Sequence, residues 1–174
     1  MRLLERRPAI AGGRLDLGLE IPKQDRLRRA VAQDLVQGGV DDQAGIGLAA
    51  PQVGIPYCLL VMDDGKRGAR ALINPVITSR SGSVVDEEGC LSLPGIFADV
   101  ERSKSITVQA TDEDGRPFDL EASGMQARVI QHEMDHLEGV LFIDLLSPVA
   151  RDRIKTRIQK HGFPKERRSR AFAL

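Results

Sequence analysis

The sequence has no long hydrophobic run, and this absence argues against a membrane-spanning protein. A transmembrane helix needs about 20 consecutive apolar residues, and no stretch of the 174 residues approaches that length. The opening residues, MRLLERRP, also lack the apolar segment of a secretory signal peptide. We therefore expect a protein with no membrane partner.

Cysteine is scarce, and neither sign of charge is in excess. Cys58 and Cys90 are the two cysteines, too few for the disulfide scaffold of a small secreted protein. A reducing compartment, the cytoplasm, is therefore expected. The 25 basic residues equal the 25 acidic ones, so net charge by itself indicates no class of partner, and no DNA partner is expected.

The length indicates one domain with an ordinary core. At 174 residues and 19.0 kDa the chain can bury a hydrophobic core, but a second domain is not expected. Residues 1–24 show no sustained hydrophobic period and are predicted to be loop or weakly ordered edge structure. Residues 151–174 form a basic tail. The predicted organisation is a single domain over residues 1–174.

Histidine is also scarce, yet two of the three histidines lie four residues apart in the segment HEMDH. On a helix, His132 and His136 share one face and can bind one metal ion, with Glu133 beside them as a candidate general base. Met125 and Val129 extend the same face upstream, so the helix is expected to be buried. The alternative is a chance spacing of two ordinary core or surface histidines.

The remaining periodic segments predict an α+β fold with mixed or antiparallel strands around the metal-binding helix and a further helix at the C-terminus. Cys58 is expected to be a small buried residue inside the first strand, and Ser123 is expected to cap the metal-binding helix. A helix is predicted at residues 25–37, ending at Gly38-Gly39, and strands are predicted at residues 57–62, 71–78, 105–110 and 117–122.

The third metal ligand is less obvious than the first two. In the extended zinc-protease pattern HExxHxxGxxH, Phe142 stands where the third histidine belongs, and His161 lies far downstream on a basic segment. Cys90, in the non-periodic stretch EEGCLS, is the best remaining candidate. Its alternative interpretation is a buried free thiol.

A run of small residues, GIGLAAPQ at positions 45–52, predicts a close approach of backbone to another group. It lacks the spacing and the GK[ST] ending of a phosphate loop. We interpret it as an extended rim that pairs with an extended peptide, with Gln52 as a side-chain amide donor. Two glycines serving a tight turn are the alternative.

Together the segments GIGLAAPQ (45–52), EGCLS (88–92) and QHEMDH (131–136) closely resemble the motifs of peptide deformylases. The resemblance extends over about residues 45–148 and is weak before residue 45. It implies three metal ligands, a catalytic carboxylate and an oxyanion site. The implied ligands are Cys90, His132 and His136; the carboxylate is Glu133; and the oxyanion site is formed by Gln52 and the backbone N–H of Leu91.

The resemblance also implies the reaction, which is removal of the formyl group from the N-terminal formyl-methionine of new polypeptides with release of formate. Metal-bound water would be the nucleophile, and Glu133 would accept and return its proton. Fe(II) is the implied native ion, although two imidazoles and a thiolate also suit Zn(II), Co(II) or Ni(II). The residues expected to contact the substrate methionine are Ile46, Gly47, Met125 and Val129.

Two other functions use the same helix. A zincin-type endopeptidase would require a downstream third ligand. A non-catalytic, metal-stabilised interaction module would require the fourth coordination position to be closed by protein. Retained metal binding after Cys90→Ala would favour the endopeptidase. The absence of an exchangeable water on the bound metal would favour the interaction module.

The C-terminal tail is strongly basic, with nine Lys or Arg against two acidic residues from Arg151 to Leu174. Ile154 and Ile158 predict a short basic helix that stops at Gly162. A solvated charged end is the common outcome for such a run. The functional hypothesis, taken from the family resemblance, is that the tail binds ribosomal RNA near the tunnel exit.

Overall fold

Seven strands and three helices account for most of the part of the chain that the structure describes. The structure is a computed structural model that describes residues 23–38, 46–63 and 68–164. The helices are α1 Lys23–Gly38, α2 Met125–Leu137 and α3 Pro148–His161, and the strands are β1 Gly47–Ala49, β2 Leu59–Asp63, β3 Ala69–Ser81, β4 Val84–Gly89, β5 Phe97–Arg102, β6 Ser105–Thr111 and β7 Pro117–Ser123.

Five of these strands form a central sheet in the order β1-β2-β3-β6-β7, and every neighbouring pair is antiparallel. Alternate residues of β2 serve opposite faces, as the pleat of a strand requires. Leu60 and Met62 pack in one cluster with residues of α2, whereas Leu59 and Val61 pack in another with Ala32 of α1. The sheet therefore separates the two helices.

The predicted α+β class is confirmed, including the antiparallel strands and the C-terminal helix. The helix predicted at residues 25–37 is α1, which begins at Lys23 and ends at Gly38. Residues 23 and 24 are therefore helical rather than loop. The rest of the segment predicted as loop, residues 1–22, lies outside the described residues, as does Gly39.

The ends of the predicted strands needed correction. Cys58 is exposed, not buried, because it precedes β2, which begins at Leu59. Its carbonyl accepts a hydrogen bond from the backbone N–H of Asn74 at 2.7 Å. Asn74 has a φ of 51° and lies within an irregularity of β3 just before Pro75. Proline cannot donate to a sheet ladder, which accounts for the local loss of register.

Ser123 does not cap the metal-binding helix, contrary to the prediction. It is the last residue of β7, and α2 begins after Gly124, which has a φ of 57° and offers no side-chain cap. The sharp turn from strand to helix requires the conformational freedom of glycine at this position. In α3, by contrast, the Oγ atom of Ser147 accepts a hydrogen bond from the N–H of Ala150 at 3.3 Å.

Strands β4 and β5 form a separate two-stranded sheet that the sequence did not predict. Their antiparallel register runs from Val84 opposite Arg102 to Gly89 opposite Phe97. A side chain at Gly89 would collide with the Phe97 ring, so the last pair requires glycine. Cys90 directly follows the end of β4 and contacts His136 of α2.

Cys90 also belongs to a third hydrophobic cluster, formed by the segment after β4, by β5 and by residues 141–146. Ile154 and Ile158 of α3 pack against this cluster. The helix itself was predicted from their spacing, and it stops before Gly162 as expected. No helix in the described segments is long and apolar enough to cross a membrane.

Candidate metal centre

Cys90, His132 and His136 form a buried cluster that can hold a metal ion. Their ligand atoms all lie within 4.8 Å of one another, and the Cys90 Sγ atom is 3.2 Å from Nε2 of His136. The two histidine rings meet edge to face with centroids 4.9 Å apart. The helical spacing brings the imidazoles together, and the end of β4 brings the thiol to them.

These donors fit a divalent ion because one of them has no partner among the described residues. Within that part of the chain, Nε2 of His132 is buried without a hydrogen bond, a costly arrangement unless another group occupies that side of the ring. A tetrahedral ion with metal–sulfur and metal–nitrogen distances of about 2.3 and 2.0 Å separates its donor atoms by about 3.3–3.5 Å. The 3.2 Å between Cys90 Sγ and His136 Nε2 is close to that range.

The local electrostatics favour the thiolate form of Cys90. Burial by itself would raise the pKa of this thiol, but the two adjacent imidazoles and the hydrogen bond from the Ser92 backbone N–H lower the pKa to about 5. The thiolate is the form that binds metal ions. Cys90 is therefore suited, as a thiolate, to bind a metal ion.

Glu88 lies directly behind the centre, and its role was missed in the sequence. Its buried carboxylate is 3.1 Å from Nδ1 of His132, so the Nε2 atom of that ring is directed toward the cluster. Burial alone would raise the pKa of Glu88, but hydrogen bonds from His132 and Arg102 hold the pKa at about 2. A carboxylate two residues before a candidate cysteine ligand was the available signal.

Two further side chains tie α2 to its surroundings. Arg102 donates to both oxygens of Glu88 at 2.9 Å and to Asp135 at 2.6 Å. Gln131 accepts a hydrogen bond from the N–H of Ser103 and donates to the Ser103 carbonyl. Sequence reasoning could not assign these roles because the partners come from β5 and the turn that follows it.

Glu133 is fully buried, at 0% exposure, and is the most isolated polar group of the centre. Neither of its carboxylate oxygens has a hydrogen-bond partner in the segments that the structure describes. Burial raises the pKa of Glu133 to about 7, although charge on His132 and His136 opposes the shift. A carboxyl group with a pKa near neutrality can both accept and return a proton.

Gln52 lies at the edge of the cluster, with its amide held in a defined orientation. Its Oε1 atom accepts a hydrogen bond from the N–H of Ala49 at 2.8 Å. Nε2 then faces the Cys90 Sγ atom at 4.0 Å and the Oγ of Ser92 at 3.4 Å. Leu91 is the first residue after Cys90, and its side chain is exposed.

The predicted extended rim is shorter than expected. Of its described residues, 46–52, only Gly47–Ala49 form a strand, and Ala50–Val53 is a short 3-10 helix that carries Gln52. Gly45 lies outside the described residues. Because β1 pairs with β2 on one side and ends the sheet order on the other, its second edge is available among the described strands for an extended peptide.

The four residues predicted to contact substrate are not all brought to the centre. Ile46 and Val129 pack in the cluster on the α2 side of the sheet, and Gly47 lies against both Val129 and Glu133. Met125, however, is 40% exposed at the start of α2. It lies about 10 Å along the helix axis from His132, at about 1.5 Å per residue.

We expect Gly47→Ala to impair both activity and stability. A Cβ atom at this position would lie 2.7 Å from Cγ1 of Val129 and 2.9 Å from Cγ and Oε1 of Glu133. Overpacking of this kind typically costs about 1–3 kcal/mol, and it would displace the carboxylate. Denaturant unfolding and steady-state kinetics measure the two effects. Unchanged stability together with unchanged kcat would contradict the close approach.

Comparison with known proteins finds similarity to a single family over most of the chain. The family model described as polypeptide deformylase matches residues 19–152. A peptide deformylase of Alkalilimnicola ehrlichii is 48% identical over 139 residues, covering 78% of this chain and 77% of the relative. One of Pseudoalteromonas translucida is 43% identical over 145 residues, covering 82% of this chain and 86% of the relative.

Solved structures show the same similarity in three dimensions. The crystal structure of a peptide deformylase from Thermus thermophilus matches with a TM-score of 0.69 and 40% identity, covering 76% of this chain and 79% of that one. A peptide deformylase from Synechococcus elongatus in complex with actinonin matches with a TM-score of 0.66 and 43% identity, covering 80% and 75%.

Proposed function

The chain belongs to the peptide deformylase family, and from that premise we propose that Cys90, His132 and His136 bind the metal ion of a formyl-hydrolysing enzyme. Its substrate is the N-terminal formyl-methionine of newly synthesised polypeptides, and its products are formate and the free amine. The observation that carries the proposal is the partnerless Nε2 of His132, which lies beside a thiol and a second imidazole.

A divalent ion held there would acidify a coordinated water to a pKa of about 7 and polarise the formyl oxygen. We propose Fe(II) as the native ion on the strength of the family, with Zn(II), Co(II) or Ni(II) as functional substitutes. Oxygen sensitivity would then follow from oxidation of the iron and of the Cys90 sulfur.

Glu133 is proposed as the general base and acid. Its carboxylate has no competing hydrogen bond, so it is available to accept a proton from the attacking water. The same group then returns a proton to the departing amine nitrogen, which prevents expulsion of a high-energy amide anion. A pKa of about 7 suits both transfers at neutral pH.

Gln52 and the backbone N–H of Leu91 are proposed to stabilise the oxyanion that develops on the formyl oxygen. The hydrogen bond from Ala49 to Oε1 orients the Gln52 amide, so that Nε2 points toward the cluster without reorganisation. A preorganised donor of this type contributes on the order of 3 kcal/mol to lowering the barrier.

For substrate binding, we propose that the free edge of β1 pairs with the extended nascent peptide. Ile46, Gly47 and Val129 are proposed to contact the methionine side chain near Glu133. Met125 can take part only at the outer end of this surface, because it lies at the start of α2 and is partly exposed.

Formate release from a formyl-methionyl peptide tests the proposed function. Protein purified without oxygen is expected to contain about one divalent ion per chain and to release formate, and removal of the ion by a chelator should abolish the release. A metal-replete protein that releases no formate would overturn the proposal. Cleavage of internal peptide bonds instead would support the endopeptidase alternative.

Single-domain organisation over residues 1–174 and a cytoplasmic location are also proposed. Both hydrophobic clusters of the central sheet share the strand β2, and α3 packs on the cluster that contains Cys90. These shared elements favour one cooperative unit. The cytoplasmic location rests on the substrate and on the small number of cysteines.

Ribosome binding by the basic tail is a further part of the proposal. Arg153, Arg157 and Lys160 are exposed on α3 and are available to phosphates of ribosomal RNA. Ile154 and Ile158, on the same helix, pack on the cluster that contains Cys90. Deleting the helix would therefore disturb the metal centre as well as any docking surface.

Charge neutralisation separates these two effects. We expect the triple variant Arg153→Gln, Arg157→Gln, Lys160→Gln to keep peptide deformylation but to co-sediment less with ribosomes at low salt. Binding of the unaltered protein should fall with salt by a log–log slope of about −0.9 for each duplex phosphate contacted. Equal co-sedimentation of both proteins would show that these three charges do not bind the ribosome and that the tail is only a solvated surface.

A further inference from the structure

Arg128 is a buried cation that the reaction itself does not use. It is 3% exposed, and its guanidinium forms an extended set of contacts. Nη1 donates to Oε1 of Glu88 at 2.5 Å, to the Val100 carbonyl at 3.0 Å and to the Asp86 carbonyl at 3.5 Å. Nη2 donates to the Val84 carbonyl at 3.0 Å.

These contacts join the two elements that supply the metal ligands. Arg128 lies one helical turn before His132 on α2, whereas its acceptors Val84 and Val100 lie on β4 and β5 respectively. Strand β4 ends at Gly89, which pairs with Phe97 of β5, and Cys90 is the next residue. Arg128 therefore joins both strands of the hairpin that carries the thiol to the helix that carries the imidazoles, beside the Glu88–His132 and Arg102–Asp135 contacts.

The chemistry of the contact requires arginine. A buried cation is tolerated only when it is paired and its donors are satisfied, and the planar guanidinium fork can reach carbonyls on both strands at once. Lysine would retain the charge opposite Glu88 but, with a single nitrogen, could not span the same acceptors.

Arg102 and Arg128 have separable roles around Glu88. Arg102 donates to both oxygens of that carboxylate, so Glu88 keeps a cationic partner, and His132 keeps its orientation, when Arg128 is replaced. What is lost is the set of hydrogen bonds from α2 to the Val84, Asp86 and Val100 carbonyls of the hairpin. The contacts of Arg102 with Asp135 and of Glu88 with His132 remain. The effect of replacing Arg128 should therefore fall on the position of the Cys90 thiol.

We propose that Arg128 is a positioning residue that sets the separation between the Cys90 thiolate and the two histidine ligands. The inference rests on the metal centre proposed above and extends it to a residue that does not contact the ion. It predicts that replacing Arg128 weakens metal binding and changes the thiolate contribution, even where the overall fold survives.

Cobalt binding tests the proposal directly. Metal-free wild-type, Arg128→Lys and Arg128→Met proteins are titrated with Co(II), and the thiolate-to-cobalt charge-transfer band is recorded. We expect affinity to fall about 10- to 100-fold in Arg128→Met, the range typical for residues that support metal ligands, with a shifted or weakened band. Arg128→Lys should fall between this variant and the wild type.

Val61→Ala is the matched control, because Val61 is buried on the α1 side of the sheet. It should lower stability without altering the cobalt spectrum or affinity. Wild-type affinity and spectrum in the Arg128 variants would overturn the inference. A wild-type protein without a thiolate band would instead overturn the proposed metal centre.

Thiol reactivity in the metal-free protein gives a second measurement if Arg128→Met does not fold. In a Cys58→Ser background, Cys90 is the single thiol. Arg128→Lys is then expected to increase the rate of Cys90 modification several-fold, because the hairpin is less firmly attached. An unchanged rate together with an unchanged cobalt spectrum in Arg128→Lys would reject the positioning role.

Discussion

Replacing Glu133 by glutamine is expected to lower kcat by about 10²- to 10⁴-fold, the usual contribution of a general acid–base residue. The amide keeps the shape of the carboxyl group but cannot accept the proton of the attacking water. Because neither oxygen of Glu133 has a hydrogen-bond partner among the described residues, the substitution breaks no hydrogen bond there and keeps the packing of the side chain. Metal content and unfolding temperature should therefore remain near the wild-type values.

Glu138→Gln is the matched control for this experiment. Glu138 is exposed immediately after the end of α2. The Glu138→Gln variant therefore removes the same charge at a position outside the metal centre, and its kcat should equal that of the wild type. If Glu133→Gln retains turnover within a few-fold of the wild type, Glu133 is not the base, and another group must move the proton.

Replacing Cys90 by serine is expected to have the largest effect on metal binding. A neutral hydroxyl is a much poorer donor than the thiolate that the histidines stabilise. Loss of a group that merely supports a ligand costs about 10- to 100-fold in affinity, so we expect loss of a ligand to cost at least about 100-fold. Activity should fall in parallel at limiting metal.

Cys58→Ser provides the matched control, since it makes the same chemical change at an exposed position before β2. Metal stoichiometry and turnover should be unaffected by it. Metal analysis after dialysis, together with Co(II) titration, measures both variants. A Cys90→Ser protein with wild-type stoichiometry and rate would make Cys90 an ordinary buried thiol.

The helical part of the centre was predictable because its information is local. His132, Glu133 and His136 share one turn of α2, and the periodicity of a helix converts their spacing into a common face. The strands β6 and β7 were predictable for the same reason, since a polar turn separates two short β-branched runs. Cys90 was found by elimination and by family resemblance, not by periodicity.

Local sequence was misleading where neighbouring elements decide the environment. Cys58 has aliphatic neighbours and was expected to be buried, but β2 begins one residue later and leaves it exposed. Ser123 is a good capping residue by type, yet it remains within β7, and Gly124 makes the turn into α2. The strand β4 was missed because its charged residues obscure any alternation.

The sequence by itself determined the donor types, the helix that presents two of them and the family to which the chain belongs. Only the tertiary structure decided that Glu88 orients His132 and that Arg102 and Arg128 neutralise that buried carboxylate. Those contacts join residues from 14 to 44 positions apart. No local period encodes such separations, because burial of a charge becomes favourable only after the strands and the helix have packed to supply its partners.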